Sequence, residues 1–233
     1  MATRVGTGVT GQGDGASATL AAAAKATTTG NLLTAFVKWE FSSVPLTGLA
    51  DTAGNTWVVV AALEHGNGTL RGALGYAANI TGHAANVVTA TFGTGTAEWR
   101  RIIVEEWAGL ALTSVADGNA VTALGAGSPF DTAAITTTIA GLVVLGVAGY
   151  GTLTSVAGAG SPTFTVGLTV SDTTFGYLLS ASAQSVTPRI TASGGDGADI
   201  SIAQALKNAA GGVAFVPRPG MLYAQAVRRA ATF

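Results

Sequence analysis

The sequence predicts an all-β protein: an antiparallel β-sandwich, jelly-roll-like, of about ten strands with extended N- and C-terminal segments. Three observations carry this expectation. Short alternating runs of β-branched and aromatic residues recur from end to end, separated by clusters of Gly, Asn, Asp, Ser and Pro. Glycine is abundant, at 33 of 233 residues, and no long stretch shows the 3.6-residue apolar period of an amphipathic helix. Charged residues make up only 10% of the chain, against about 25% in an ordinary soluble domain, which excludes a charge-rich coiled coil. An apolar content of 48% with four Trp, four Tyr and eight Phe excludes a disordered chain.

The first clear strand runs through residues 33–41. Leu33, Ala35, Val37, Trp39 and Phe41 share one face and Thr34, Lys38 and Glu40 the other, a pattern that predicts one buried side. Asp51-Thr-Ala-Gly54-Asn55 reads as a turn, and the nearly continuous apolar run 57–63 after it suits a central strand. Further strands are expected at 70–78, at 86–92 with Val88, Ala90 and Phe92 inward, and at 101–107. A loop over 110–131 precedes strands at 133–139 and 142–150. Phe164, Val166, Leu168 and Val170 form one alternating face, as do Phe175, Tyr177 and Leu179, and the last strands fall at 186–192 and 199–206. Helix is plausible only over 16–25 and near the C-terminus, both Ala-rich.

Composition divides the chain into an N-terminal extension (1–29), a sandwich domain (30–209) and a basic C-terminal arm (210–233). No repeat supports a solenoid or propeller, and the recurrence of Gly125-Ala-Gly-Ser128-Pro129 as Gly158-Ala-Gly-Ser161-Pro162 is assigned to chance in a Gly/Ala-rich chain. A net charge of −1 points to no nucleic-acid partner. The longest apolar stretch, 139–148, is about half of what a membrane helix needs, so no membrane partner is expected. Residues 1–10 lack a basic stretch followed by an apolar run, so no classical export is expected. The absence of Cys removes disulfides and thiolate chemistry. A chain so poor in charge suits a crowded, assembled state better than a free monomer.

Motifs with chemical content are few. Gly6-x-Gly8-x-x-Gly11 matches a dinucleotide fingerprint on paper, but no strand precedes it and no βαβ unit follows, so no cofactor is expected. Gly194-Gly-Asp196-Gly-Ala-Asp199 resembles one calcium-binding nonapeptide but occurs once, which favours a turn. His65, beside Gly66 and Gly68, reads as a loop residue; it and His83 form no metal-ligand pair, so no metal site is expected. Adjacent Glu105 and Glu106 point to opposite faces of a strand and cannot flank one glycosidic bond; one of them is expected to pair with Arg100 or Arg101. No catalytic residues are assigned, and the chain is expected not to be an enzyme. Trp39, Trp57 and Trp107 fall within strand patterns and read as core, whereas Trp99, beside Glu98 and two Arg, is the one candidate for a stacking platform. In the arm, Arg218, Tyr223, Arg228, Arg229 and Phe233 supply cationic and aromatic anchors for partner binding.

Several segments together carry a resemblance: Gly30-Asn-Leu-Leu33 through Trp39, Asp51-Thr-Ala-Gly-Asn-Thr-Trp57, Tyr76-Ala-Ala-Asn79-Ile, residues 87–92, and Glu106-Trp-Ala-Gly-Leu110. They resemble a β-sandwich module of tailed-phage structural proteins and of phage-like or secreted bacterial proteins, over roughly residues 28–209. That resemblance implies a jelly-roll-like, non-enzymatic component of a bacteriophage virion: a capsid decoration or cement protein acting as a symmetric oligomer, with a trimer expected. Its expected partners are further copies of itself and the major capsid protein or other virion proteins. A tail fibre or receptor-binding tail protein contacting a host glycan is the first alternative, and a carbohydrate-binding module the second.

Overall fold

The computed structural model describes residues 1–40, 43–65, 70–125, 129–149, 155–159, 162–193 and 199–209. They form antiparallel β-structure, with 21 strands in place of the ten expected and no helix. The first half contains β1 (Thr3–Arg4), β2 (Val9–Gly13), β3 (Thr19–Ala21), β4 (Lys25–Thr27), β5 (Leu32–Glu40), β6 (Leu46–Asp51), β7 (Val58–His65), β8 (Leu70–Ala77), β9 (His83–Asn86), β10 (Val88–Phe92) and β11 (Glu98–Ala108). The second contains β12 (Val121–Gly125), β13 (Phe130–Asp131), β14 (Ile135–Thr137), β15 (Gly141–Gly149), β16 (Ser155–Ala159), β17 (Thr165–Val170), β18 (Thr173–Ser180), β19 (Gln184–Val186), β20 (Arg189–Ser193) and β21 (Asp199–Lys207).

The two halves are the same sandwich built twice. In the first, an inner sheet runs β1/β2-β11-β5-β8-β7 and an outer sheet β3-β10-β6, with the ribbon β4-β9 beside them. In the second, the inner sheet runs β12-β21-β15-β18-β17, the outer sheet β13-β20-β16, and the ribbon is β14-β19. Each strand of the first set from β2 on therefore has its mate ten strands later. Within each half the pairs are nested, β2 with β11, β3 with β10, β4 with β9 and β5 with β8, the wrapped long hairpin of a jelly roll.

Finer features repeat too. The amide of His83 donates to Thr27 Oγ1 at 3.1 Å, and the amide of its mate Gln184 to Thr137 Oγ1 at 2.9 Å. The amide of Val5 donates to the Glu106 carbonyl, and that of Asp117 to the Ala205 carbonyl. Both β7 and β17 carry a bulge at the same place, between Val59 and Ala61 and between Val166 and Leu168. The Gly-Ala-Gly-Ser-Pro recurrence is unrelated to this duplication, because one copy follows β12 and the other spans the end of β16.

Four sheets stack as outer, inner, inner, outer, with three apolar layers between them. Leu33, Ala35, Val37, Trp39, Val88, Ala90 and Phe92 fill the first sandwich. Val143, Leu145, Val147, Phe130, Phe164 and Ile190 fill the second. Phe36, Leu74, Ile103, Trp107, Leu142, Val144, Phe175, Ile202 and Leu206 join the two inner sheets face to face. A sheet covered on both sides buries both faces of its strands. Every residue of β5 and of β15 is accordingly buried, so the second face of β5, expected to be the polar one, is covered as well.

Phe36 and Gly146 are mates, at equivalent positions on β5 and β15, and they meet: a Cβ on Gly146 would run into the Phe36 ring. The pseudo-twofold axis relating the halves therefore passes between them. A ring occupies the space that an absent side chain leaves, which keeps the centre of the interface at interior packing density.

Four local expectations are corrected. Residues 16–25 hold strand, not helix, because Leu20 and Ala22 alternate into the first core while the backbone pairs with β10. The run 57–63 is an edge strand, not a central one: β7 ends its sheet, and Val58 and Val59 lie exposed. The supposed loop 110–131 contains β12, which pairs with β21. Phe164, Val166, Leu168 and Val170 do not share one face, because the bulge at Gly167 sends Phe164 into the second sandwich and Leu168 and Val170 into the middle layer.

Candidate functional site

The arm residues Arg218, Tyr223, Arg228, Arg229 and Phe233 lie outside the described residues, as does the turn 194–198 of the calcium-like motif; Asp199, at its end, opens β21. The glycines of the dinucleotide-like motif serve packing. Gly8 leaves room for the Glu105 carboxylate, and Gly11, on β2, lies against the Ala21 carbonyl. His65 is the last residue of β7 and not a loop residue. Among the described residues no group of three or more His, Asp or Glu gathers to hold a metal ion, and no helix is long and apolar enough to cross a membrane.

The polar chemistry of the molecule is concentrated in its interior. Lys38 projects from β5 into the layer between the inner sheets and is 0% exposed. Its Nζ reaches Asp172 Oδ2 at 2.7 Å and also contacts Glu40 Oε1. Asp172 sits in the turn joining β17 to β18, next to Ser171 with its φ of 52°, so a hairpin tip of one sandwich inserts a carboxylate beneath a strand of the other. Arg101 Nε lies 3.8 Å from Asp172 Oδ1, and Arg101 Nη1 lies 2.8 Å from Asp14 Oδ1. Burial holds the Glu40 carboxyl above its ordinary range, against the pull of Lys38.

Glu105 and Glu106 do point to opposite faces, but neither pairs with Arg100 or Arg101. Glu105 faces the second sandwich and accepts a two-pronged bond from Arg4, at 2.8 and 2.5 Å. That bond raises the Arg4 guanidinium above its usual value despite partial burial. Glu106 turns the other way and accepts from the Thr28 amide and Asn31 Nδ2, with Lys25 at 3.3 Å. Arg100 donates to the carbonyls of Thr19 and Gly15, and burial together with Arg101 lowers its pKa.

The Asp51 turn is a second polar knot. Asp51 accepts from the Asn55 amide and from the side chains of Asn55, Asn86 and Trp57, and burial, which pushes its pKa up, is outweighed by these bonds, leaving it lowered. Trp57 is thus only half-buried, bound to this turn, while Trp39 and Trp107 are core. Trp99 is 42% exposed at a φ of 44°, set outward by the bulge between Glu98 and Arg101. A positive φ is costly for a large side chain.

The exterior is the complement of this interior. Of the nineteen charged residues described, nine are buried: Lys38, Glu40, Arg100, Arg101, Glu105, Glu106, Asp117, Asp172 and Asp199. Only Asp14 and Glu64 are exposed, and each is ion-paired, to Arg101 and Arg71. Thr, Ser, Ala and Gly make up much of the rest of the outer face. A charged side chain within a strand ordinarily faces water, so alternation groups Lys38 with Thr34 and Glu40 on a polar face, and nothing local in the run 32–40 signals its burial.

The fold and this arrangement define a tandem jelly-roll sandwich with a charge-pinned interior. Compared with family models, curated proteins and solved structures, the chain matches none.

Proposed function

We propose that this chain is a non-enzymatic structural protein of a bacteriophage virion, a capsid decoration protein acting as a symmetric oligomer. The observation that carries the reading is the sparse charge of the exterior: of the nineteen charged residues described, nine are buried, eight half-buried and only Asp14 and Glu64 exposed. Free monomers rely on interspersed surface charge for solubility, whereas a surface held among copies does not. The edge of β7 supports the same reading. Isolated proteins usually guard such an edge with charges or proline, whereas β7 presents Val58 and Val59 outward and holds its one acidic residue, Glu64, near its far end. A duplicated sandwich also offers two similar outer sheets through which one chain can meet two neighbours.

Light scattering on the purified full chain tests this reading. A stable trimer or larger assembly that also binds phage particles lacking their decoration layer is the expected result. A monomer at every concentration that leaves particles bare would sink it. Binding to tail tips, not heads, would move the protein to the tail, where it would act as a fibre or receptor-binding component.

The outward, strained Trp99 favours one second reading, a carbohydrate-binding module, since backbone strain retained at an exposed ring is a mark of a contact site. Glycan-array binding that Trp99→Ala abolishes without unfolding the chain would establish it.

A further inference from the structure

The duplication lets each site be compared with its mate, and one pair differs in an informative way. Tyr76 on β8 and Tyr177 on β18 are mates, each followed across the sheet by equivalent partners, Thr34 and Val144. Both rings are half-buried, but that of Tyr177 is covered by side chains: Trp107 packs edge-on at 5.0 Å, and the Arg4 guanidinium lies 5.9 Å from the ring centroid, held there by Glu105. At Tyr76 all three covering groups are replaced. The mate of Trp107 is Leu206, that of Arg4 is Ala116, and that of Glu105 is Gln204. Where the first site is filled, the second is an open cleft of about 250 Å³, bounded by Tyr76, Ala78, Leu112, Val115 and Ala116. Leu112 at its rim is 49% exposed.

The cleft therefore lacks an aromatic ring and a cation beside a tyrosine, the pair of groups that packs best on such a face. The chain carries both just beyond the described residues. Its described part ends at Ala209, whose amide donates to the Gly109 carbonyl at 2.9 Å, and Asn208 bridges to Leu110. Residues 109–116 then run directly into the cleft wall. The described chain thus ends beside the cleft, and the sequence that follows, 210–233, carries Arg218, Tyr223, Arg228, Arg229 and Phe233 and no acidic residue. Tyr223 lies fourteen residues past Ala209, a reach of up to about 45 Å.

We propose that the cleft beside Tyr76 is the berth of the same chain's C-terminal segment, whose aromatic and arginine side chains complete there what Trp107 and Arg4 complete at Tyr177. The berth is on the chain's own surface and needs no second copy.

The natural absence of cysteine makes the test clean. In the full chain, Thr113→Cys at the cleft is combined in turn with Gly220→Cys and Ala224→Cys, which leave the aromatic and arginine side chains in place; the same two arm cysteines paired with Thr91→Cys on the outer sheet are the control. Under mild oxidation one of the arm pairs is expected to close a disulfide within a single chain, read as a fast-migrating monomer on a non-reducing gel. It should close at least about tenfold faster than the control, the gain a seated segment provides through effective concentration. Refilling the cleft with Ala116→Arg should remove that gain. Cross-links that join two chains only, rates equal to the control, or a rate unmoved by Ala116→Arg would each overturn the proposal.

Discussion

The two sandwiches share every strand pairing from β2 on but place their polar residues differently. The first carries Arg4, Lys38, Arg101, Glu105 and Glu106 buried or half-buried on β1, β5 and β11, while the equivalent strands of the second hold Ala116, Ala148, Ile200, Gln204 and Ala205. The second sandwich contributes the reciprocal anchor, Asp172, from a turn. Strand topology therefore follows from the nested apolar pattern, which both halves have, whereas the contact of Lys38 with Asp172, one charge from each half, adds a directional constraint between them. Hydrophobic layers are non-directional; a buried ion pair satisfied in one geometry is not.

This contrast can be broken at its strongest point with Asp172→Ala. Leaving Lys38 buried with Glu40 alone should cost about 3 kcal/mol in denaturant unfolding, while the triple variant Lys38→Met, Glu40→Gln, Asp172→Ala, which removes Lys38 and both carboxylates it contacts, should recover much of the loss. The partly exposed pair Arg189–Asp131 of the second half offers the control: Asp131→Ala should cost no more than about 1 kcal/mol.

Next in size is the axis. Gly146→Ala forces a methyl into the Phe36 ring and should cost about 1–3 kcal/mol. The double variant with Phe36→Leu should be less unstable than the sum of the singles, measured by a double-mutant cycle.

A third test uses acid. The carboxyls of Asp51 and Asp117 are both held below their ordinary values. At each, burial acts upward and is outweighed by hydrogen bonds, from Asn55, Asn86 and Trp57 at Asp51 and from Thr138 and Ile139 at Asp117. A depressed carboxyl stabilises the fold above its unfolded pKa and loses that contribution as pH falls through the folded one, so stability should drop below about pH 4. Glu40, with its raised value, works the other way, its penalty appearing as pH rises. Asp51→Asn should cost about 1–3 kcal/mol at neutral pH and flatten the acid limb of the stability profile.

The smallest expected effect is at Trp99. Trp99→Gly removes an exposed ring and relieves its positive φ, so thermal stability should stay within about 0.5 kcal/mol or rise.

Much of the β character was legible in the sequence, because alternation of apolar residues is a local signal: the inward residues Leu33, Ala35, Val37, Val88, Ala90 and Phe92 all lie in the first core. What was not legible depends on contacts between distant segments. The duplication is nearly silent in sequence, surviving as Leu74-Gly-Tyr76-Ala against Phe175-Gly-Tyr177-Leu, since a jelly roll requires only apolar residues of suitable size at inward positions. Edge and centre were confused at β7 because Val60, Ala61 and Leu63, which pack on the middle layer, and Val58 and Val59, which lie exposed at the sheet edge, give the same apolar signal in sequence. The site was harder still. Lys38 looks solvent-facing until a turn more than a hundred residues away supplies Asp172, and no local rule connects the two.

The unequal pair on the pseudo-twofold axis has one more consequence. In a symmetric dimer of identical sandwiches, the residue on the axis must face its own copy, so a large side chain collides with itself and a glycine leaves a hole. Joining two unlike copies in one polypeptide lifts that restriction: Phe36 can be a plug because Gly146 is a socket. Cut within residues 111–114, the two fragments should then choose each other over themselves. Like-with-like pairing would set ring against ring or void against void, and the chain would behave as a self-sorting pair of complementary halves.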